Sequence, residues 1–330
     1  MWFKELMGFT EESPEQVRAN IDVTGNRLIS KVSHAGYVYG RLEVISLNDL
    51  RLRFPSLKND NLNIKVSEIV GDVKALHKAK EDHGALFQVA SQFNLLEMAS
   101  PYVTPERGVD IYEADHTQGP ACAVSCGAGT IYRNYFAPVN GQKGQTENNQ
   151  INCMEDLEKA LWIDNEPLWK IKNGYLFATS ENLRKITDQI DQRTAEDREQ
   201  LKGRLRIGIQ WDTEVTLPGT DNIVSQIYCS ALPVSYNDTG NPEEWESFAR
   251  LVLEATYEAA FYAALQNYSK TANNRLFLTL VGGGVFGNKK EWILDAIKKS
   301  VIKFSGIPLE VNIVSYLRSD PDIRMLVEEF

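Results

Sequence analysis

Residues 275–300 read RLFLTLVGGGVFGNKKEWILDAIKKS. An apolar run, Arg275 to Val281, meets three adjacent glycines, and a helical pattern begins at about residue 289 and continues to 304. A further apolar run over 309–316 completes a strand–helix–strand unit. Three adjacent glycines plus Gly287 are more than a tight turn needs. Glycine permits positive φ and lets a backbone approach a ligand closely. Successive amide N–H groups ahead of a helix N-terminus make an anion cradle. No Gly-Lys-Ser/Thr follows, which excludes a P-loop. The glycine spacing and the late position exclude the dinucleotide fingerprint of Rossmann folds. The turn Gly282-Gly283-Gly284-Val285-Phe286-Gly287-Asn288 is therefore read as an anion cradle of a different kind.

Upstream, the same rhythm recurs. A strand is expected over 62–70, a turn at Gly71-Asp72-Val73, a helix over 73–80 and an apolar strand over 85–90. Residues 91–116 carry no regular pattern, and long loops in folded domains are usually functional. A helix is expected over 117–135 and another over 154–163. Asn173-Gly174 signals a hairpin, a helix capped by Ser180 runs to about 202, and strands follow at 204–211 and 223–231. A long apolar helix starts after Asn241-Pro242, and a short one ends the chain over 319–328. This alternation predicts a layered α/β sheet with helices on both faces and a ligand at the carboxyl ends of its strands. The first sixty residues show a helix after Ser13-Pro14, a hairpin of 27–33 with 37–46, and a short helix capped by Ser46. They read as an N-terminal extension (1–60) packed on a main domain (61–330).

Composition narrows the function. The chain is 43% hydrophobic and 24% charged, with a net charge of −10. That balance suits a globular protein and argues against nucleic acid as a partner, because phosphate neutralisation needs a basic surface. Trp245 to Leu265 is apolar, but Glu246, Arg250, Glu254 and Glu258 recur every four residues, and charges at membrane depth are costly. No membrane partner is expected. The four cysteines (Cys122, Cys126, Cys153, Cys229) form no CxxC pair, so no structural zinc is expected, and His34, His77, His83 and His116 show no metal spacing, so the expectation is a site without metal or cofactor. Sparse cysteine, and a start without a signal-like apolar run, lead to the expectation of a cytoplasmic protein.

Several residues are candidates for chemistry. Asp72 either caps a helix or meets a ligand. The loop acids Glu97, Glu106, Asp110, Glu113 and Asp115 can orient water or stabilise an oxocarbenium-like centre. Thr117-Gln118-Gly119 opens a helix whose N-terminus favours an anion. Arg133 and Asn134 can hold a phosphate or a ribose. Asp212 and Glu214, at the expected carboxyl end of a strand, can receive a guanidinium.

Together, the strand–Gly-Asp-Val–helix unit, the apolar strand and the late Gly-Gly-Gly-Val-Phe-Gly turn resemble the macrodomain superfamily over about 62–330. The stretches PYVTPERGVDIYEADHTQGPAC, GAGTIYRNYF and LTLVGGGVFGN are similar to a divergent branch, the MavL-like arginine-specific macrodomains. The resemblance implies a three-layer α/β/α macrodomain-like mixed sheet and ADP-ribose or ADP-ribosylated protein as partner. It implies an ADP-ribosyl hydrolase that removes ADP-ribose from modified protein, at arginine. The alternative is a non-catalytic module that binds ADP-ribose or a nucleotide derivative. By the same resemblance, Asp72 with Val73 meets adenine, Gly282 through Gly287 with Asn288 wrap the diphosphate, and Phe286 lies at the distal ribose. Gln118 joins this ligand-binding set. The usual ribose-holding Asn is replaced by Gln92, or by Asn94 in a shifted register. The branch implies two loop acids about eight positions apart. Asp115 fits one, and the other falls at Arg107, where Glu106 is the nearest acid and Glu97 a further helper.

Overall fold

The apolar runs assemble into one seven-stranded mixed sheet in the computed structural model, which describes residues 1–54, 56–57, 63–237 and 241–330. Numbered in chain order, the strands of this sheet are β1 (Arg41–Ser46), β2 (Lys65–Val70), β3 (Leu86–Ala90), β4 (Arg206–Glu214), β5 (Ile223–Cys229), β6 (Arg275–Leu278) and β7 (Glu310–Ser315). Their order across the sheet is β1-β4-β5-β3-β6-β7-β2. β4 runs antiparallel to both neighbours, while β5, β3, β6, β7 and β2 are mutually parallel. The carboxyl ends of those five strands therefore share one edge.

Alternation along β5 shows how the layers form. Gln226 donates from Nε2 to the Cys122 carbonyl at 2.9 Å, and the Tyr228 hydroxyl accepts from Arg133, so both face the helices Gln118–Ser125 and Gly127–Tyr135. Cys229 points the other way, to the Thr256 carbonyl of the helix Glu246–Thr271. The chain thus adopts the expected three-layer α/β/α arrangement. Between the layers, Phe87 stacks on Phe277 at 4.4 Å and on the buried His77 at 3.8 Å.

The N-terminal segment differs from its sequence reading. Arg27–Ser30 pairs antiparallel with Gly36–Val38, the first part of the expected hairpin, and with Ile21–Thr24 in a small sheet. Arg41–Ser46 leaves that sheet and becomes the outer strand of the main one. Gly40 makes the crossing possible: its φ is +75, and a Cβ there would lie 1.9 Å from the Trp211 carbonyl oxygen. The extension therefore shares the central sheet with the main domain. The expected boundary at 60/61, like the expected first residue of β2, Leu62, lies outside the described residues. Trp2, Phe3, Leu6, Met7 and Phe9 form a second core with Leu96, Met98, Val109, Tyr112 and the helices of 118–135.

The helix expected over 117–135 breaks at Cys126 into Gln118–Ser125 and Gly127–Tyr135. Thr216 Oγ1 accepts the Gly127 N–H at 3.0 Å, and Trp2 and Leu6 pack where a Cβ of residue 127 would stand. The 180–202 helix likewise divides at Thr194, which caps Ala195–Lys202, and the first half is capped by Thr179 rather than Ser180.

Among the described residues, no helix is long and apolar enough to cross a membrane. The charged stripe on Glu246–Thr271 is an ion-pair network. Arg250 meets Glu246, Glu291 and Asp295; Glu254 meets Lys202 and Lys299; Glu258 meets Arg51, Lys202 and Lys303. Burial of Glu258 works against its ionisation, but Arg51 and Lys303 hold its carboxyl below the usual range. Removing it leaves Arg51 without its buried partner, while Lys202 keeps Glu254 and Glu199. Glu258→Ala is expected to cost about 3 kcal/mol, as broken buried pairs do. Urea unfolding at pH 7 measures this, and a loss below about 1 kcal/mol would mean that the network resembles an exposed one.

Candidate functional site

A cleft of about 310 Å³ opens where the carboxyl ends of β5, β3 and β6 meet. Ala231 follows β5 and Ser91 and Gln92 follow β3, while Thr279 to Phe286 follow β6. The loop residues Glu97, Met98 and Asp115, and the first turn of the helix Gln118–Ser125, close the other side.

The backbone requires glycine at two of the turn's positions. Gly282 and Gly287 have φ of +80 and +74. A Cβ on Gly282 would meet the Ala231 Cβ at 2.4 Å, and one on Gly287 would meet Ser235 Oγ at 1.9 Å. Asn288 ties the loop down: its N–H donates to the Gly282 carbonyl, and its Nδ2 donates to the Leu232 carbonyl at 2.8 Å. The N–H groups of Gly282, Gly284, Val285 and Phe286 have no partner among the described residues. Gly284 and Val285 are exposed at the rim, and Phe286 is buried beneath it in a cluster with Tyr175 and Tyr236. Neither tyrosine carries a local sequence signal for this position. The hairpin around Asn173-Gly174 delivers Tyr175, and the short turn Val234–Tyr236 delivers Tyr236.

The acidic loop is sorted by burial. Glu97 is 3% exposed and lines the cleft. One oxygen, Oε1, faces Arg133 at 3.5 Å, and the other, Oε2, is buried with no hydrogen-bond partner among the described residues. Burial pushes its carboxyl up to about 7, and the Arg133 guanidinium opposes this only in part. Arg133 is fully buried, with its guanidinium 3.6 Å from the Tyr228 ring centre. From there a chain of hydrogen bonds runs inward: Arg133 donates to the Tyr228 hydroxyl, Tyr228 to Gln226 Oε1, and Gln226 Nε2 to His77 Nε2 at 3.0 Å. His77 donates from Nδ1 to the Val73 carbonyl at 2.8 Å, and burial lowers its pKa to about 4, so the ring is neutral.

Asp115 also lines the cleft, and its Oδ1 accepts from the Thr117 N–H and hydroxyl at 2.8 and 2.7 Å. Glu106 is not brought there. Its carboxylate accepts the Glu147 N–H at 2.9 and 3.1 Å and fastens one loop to the next. Gln92 lines the cleft and braces the acidic loop, accepting from the Met98 N–H at 2.9 Å and donating to the Met98 carbonyl at 3.2 Å. Asn94 is fully buried outside the lining, engaged with Gln150 and the Leu96 N–H, so the shifted register places no ligand group in the cleft. Gln118 lines the cleft but commits its amide to the end of β3, accepting from Ala90 N and donating to Gln88 O. Asn134 donates to the Pro105 carbonyl rather than facing a ligand.

The expected guanidinium contacts fail on strand direction. Asp212 and Glu214 do end a strand, but β4 is antiparallel to β5, so they lie at the opposite edge of the sheet from the cleft. Asp212 sits in a bulge at φ 55, and Glu214 accepts the Val38 N–H at 2.8 Å. Asp72 ends β2 on the cleft's edge of the sheet, beyond β6 and β7, and is not among the lining residues. It caps the helix Val73–Lys78 through Lys74 N at 2.8 Å, and Val73 is buried in the core. Between Asp72 and the glycine loop, the end of β7 presents the exposed Tyr316 and Leu317. Among the described residues, no three His, Cys, Asp or Glu side chains converge as metal ligands would.

No family model matches the chain, and no curated protein is detectably similar in sequence. Among solved structures, the chain is similar to poly(ADP-ribose) glycohydrolase from Thermomonospora curvata, with 12% identity, TM-score 0.46 and coverage of 96% of this chain and 95% of that one. The Deinococcus radiodurans poly(ADP-ribose) glycohydrolase in complex with ADP-ribose gives 12% identity and TM-score 0.44, covering 86% of this chain and 90% of that one. A likeness of this degree carries no residue roles to this chain.

Burial of Glu97 makes stability depend on pH. With a carboxyl raised from 4.5 to about 7, the folded protein holds a proton that the unfolded chain releases first. Between those values the native state binds more protons, so the contribution of Glu97 to stability falls as pH rises. At about 1.4 kcal/mol per pH unit the full effect is about 3 kcal/mol. Glu97→Gln is expected to flatten this part of the slope, gaining on wild type between pH 5 and pH 8 in urea titrations. Parallel profiles would show that Glu97 is ionised throughout.

Proposed function

We propose that this protein is an ADP-ribosyl hydrolase: the glycine loop holds the diphosphate of an ADP-ribosyl group, and Glu97 acts on its anomeric carbon. The observation that carries this reading is the partnerless Oε2 of Glu97, a residue that lines the same cleft as the glycine loop with its free amides of Gly282, Gly284, Val285 and Phe286. N–H groups with no internal partner suit phosphate oxygens. A carboxyl near neutral pKa suits general-base work at physiological pH.

In this reading the ionised Glu97 takes a proton from water as the water oxygen bonds to the anomeric carbon. The bond from that carbon to the protein side chain breaks, its electron pair leaves with the side chain, and the proton taken up by Glu97 passes to that side chain and restores the carboxylate. Asp115 stands in the same cleft and stabilises positive charge as it develops on the ribose. Tyr316, exposed between the loop and Asp72, offers a face to the base of the nucleotide, and Asp72 offers an acceptor to its amino group. Arginine as the modified residue is the finer reading. With Asp212 and Glu214 on the far edge, its guanidinium would be met by Asp115 and the aromatic wall of Tyr175 and Tyr236.

Calorimetry with ADP-ribose and release of label from arginine-, glutamate- and serine-linked ADP-ribosyl protein test this directly. Glu97→Gln is expected to lower kcat by about 100-fold or more, the scale of general-base loss, while ADP-ribose affinity changes less than about threefold. Gly282→Ala is expected to do the reverse, weakening ADP-ribose by about tenfold or more through a strained φ and the clash with Ala231. Binding without release from any linkage would make the chain a binding module. No heat with ADP-ribose at millimolar concentration would end both readings.

A further inference from the structure

The proposed hydrolase uses Glu97 and Asp115 but assigns nothing to the N-terminal segment. One contact from that segment bears on both acids. Glu11 Oε2 accepts the N–H groups of Val109 and Asp110 at 2.9 and 2.7 Å, and its Oε1 accepts the Tyr135 hydroxyl at 2.6 Å. Gly108 makes room for it: φ is +91, and a Cβ there would lie 2.5 Å from Glu11 Oε2. The carboxylate thus sits on the N-terminal end of the short 3₁₀ turn Asp110–Ala114, across 99 residues of sequence.

That turn reaches both cleft acids. The Tyr112 hydroxyl in its middle accepts the Glu97 N–H at 3.1 Å, and Asp115 follows its last residue. Its far end is fastened to the chain terminus, where Glu113 accepts the Trp2 N–H at 3.3 Å. Val109 and Tyr112 belong to the core made by Trp2, Phe3 and Leu6. The loop has no sheet or long helix of its own to fix it.

We propose that Glu11 is a positioning residue: a carboxylate supplied by the N-terminal segment that caps the turn Asp110–Ala114 and thereby fixes Asp115 and Glu97 relative to the glycine loop. The kinetic part of this inference rests on the hydrolase reading above; the structural part does not.

The test uses the full chain as wild type, Glu11→Ala, Glu11→Gln and Tyr135→Phe. Glu11→Ala removes all three hydrogen bonds. Glu11→Gln keeps the shape and loses the charge, and Tyr135→Phe removes one bond. Amide hydrogen exchange over 109–116 is expected to accelerate by about tenfold or more in Glu11→Ala and less in the other two, while amides of β3 and β6 keep their rates. In the release assay, kcat is expected to fall by about tenfold or more in Glu11→Ala with ADP-ribose affinity unchanged, because the glycine loop is untouched. Unchanged exchange over 109–116 overturns the proposal. So does acceleration spread equally over β3 and β6, or a normal kcat with a loosened loop. If wild type releases no ADP-ribose, the hydrolase reading fails, and exchange alone judges Glu11.

Discussion

The pairing of Glu97 with Arg133 is the constraint around which the cleft is arranged. An ionised carboxylate taken from water into a protein interior is strongly disfavoured unless it finds compensation. Arg133 gives that compensation to one oxygen and is itself satisfied by the Leu95 carbonyl, the Thr130 hydroxyl and Tyr228. Tyr228 then needs Gln226, and Gln226 needs His77. A polar chain through the centre of an otherwise apolar layer is stable only when each member is matched. Placing one acid at the cleft floor therefore dictates residues on β5 and two helices, down to which ring nitrogen of His77 carries its proton.

The acidic loop lacks the usual means of staying in place. Residues 91–116 contain two short 3₁₀ turns and no strand. Inside it Gln92 grips Met98, and the rest of its rigidity comes from outside: Asn173 donates to the Pro101 carbonyl, Asn134 to Pro105, and the N-terminal helices supply an apolar floor. The N-terminal segment and the loop are mutually dependent, since Trp2 and Phe3 would otherwise be exposed. An extension of this kind is part of the site's support rather than an appendage.

What the sequence reveals here follows from how local each signal is. The glycine loop is legible because positive φ and close approach select glycine at single positions, and the β6–loop–helix–β7 unit is contiguous. Asp72 as a helix cap is legible for the same reason. Strand direction is not a local property: nothing in Trp211-Asp212-Thr213-Glu214 states that β4 runs against its neighbours, so its acids point to the wrong edge. Nor is burial of an acid local. Glu97 and Glu106 look alike in the loop, and only tertiary packing places one beside Arg133 and the other at the Glu147 amide. The strand Arg41–Ser46 carries the pattern of a hairpin arm; its true partner lies 160 residues away, selected by the space that Gly40 leaves under Trp211.

The cleft also sets two electrostatic demands against each other. The free amides of Gly282, Gly284, Val285 and Phe286 invite an anion, while Glu97 and Asp115 repel one at close range. Separation resolves the conflict: the glycine loop closes the end of β6, and the acids stand on the loop across the cleft beside the helix Gln118–Ser125. A diphosphate seated in the cradle would still act on Glu97 through a low-dielectric wall. Its charge favours the protonated carboxyl and moves the titration of Glu97 further above its value in the free protein. The positive end of the helix at Gln118 opposes that movement. In the proposed complex the acid's ionisation would balance the ligand's phosphates against the combined pull of Arg133 and the helix terminus.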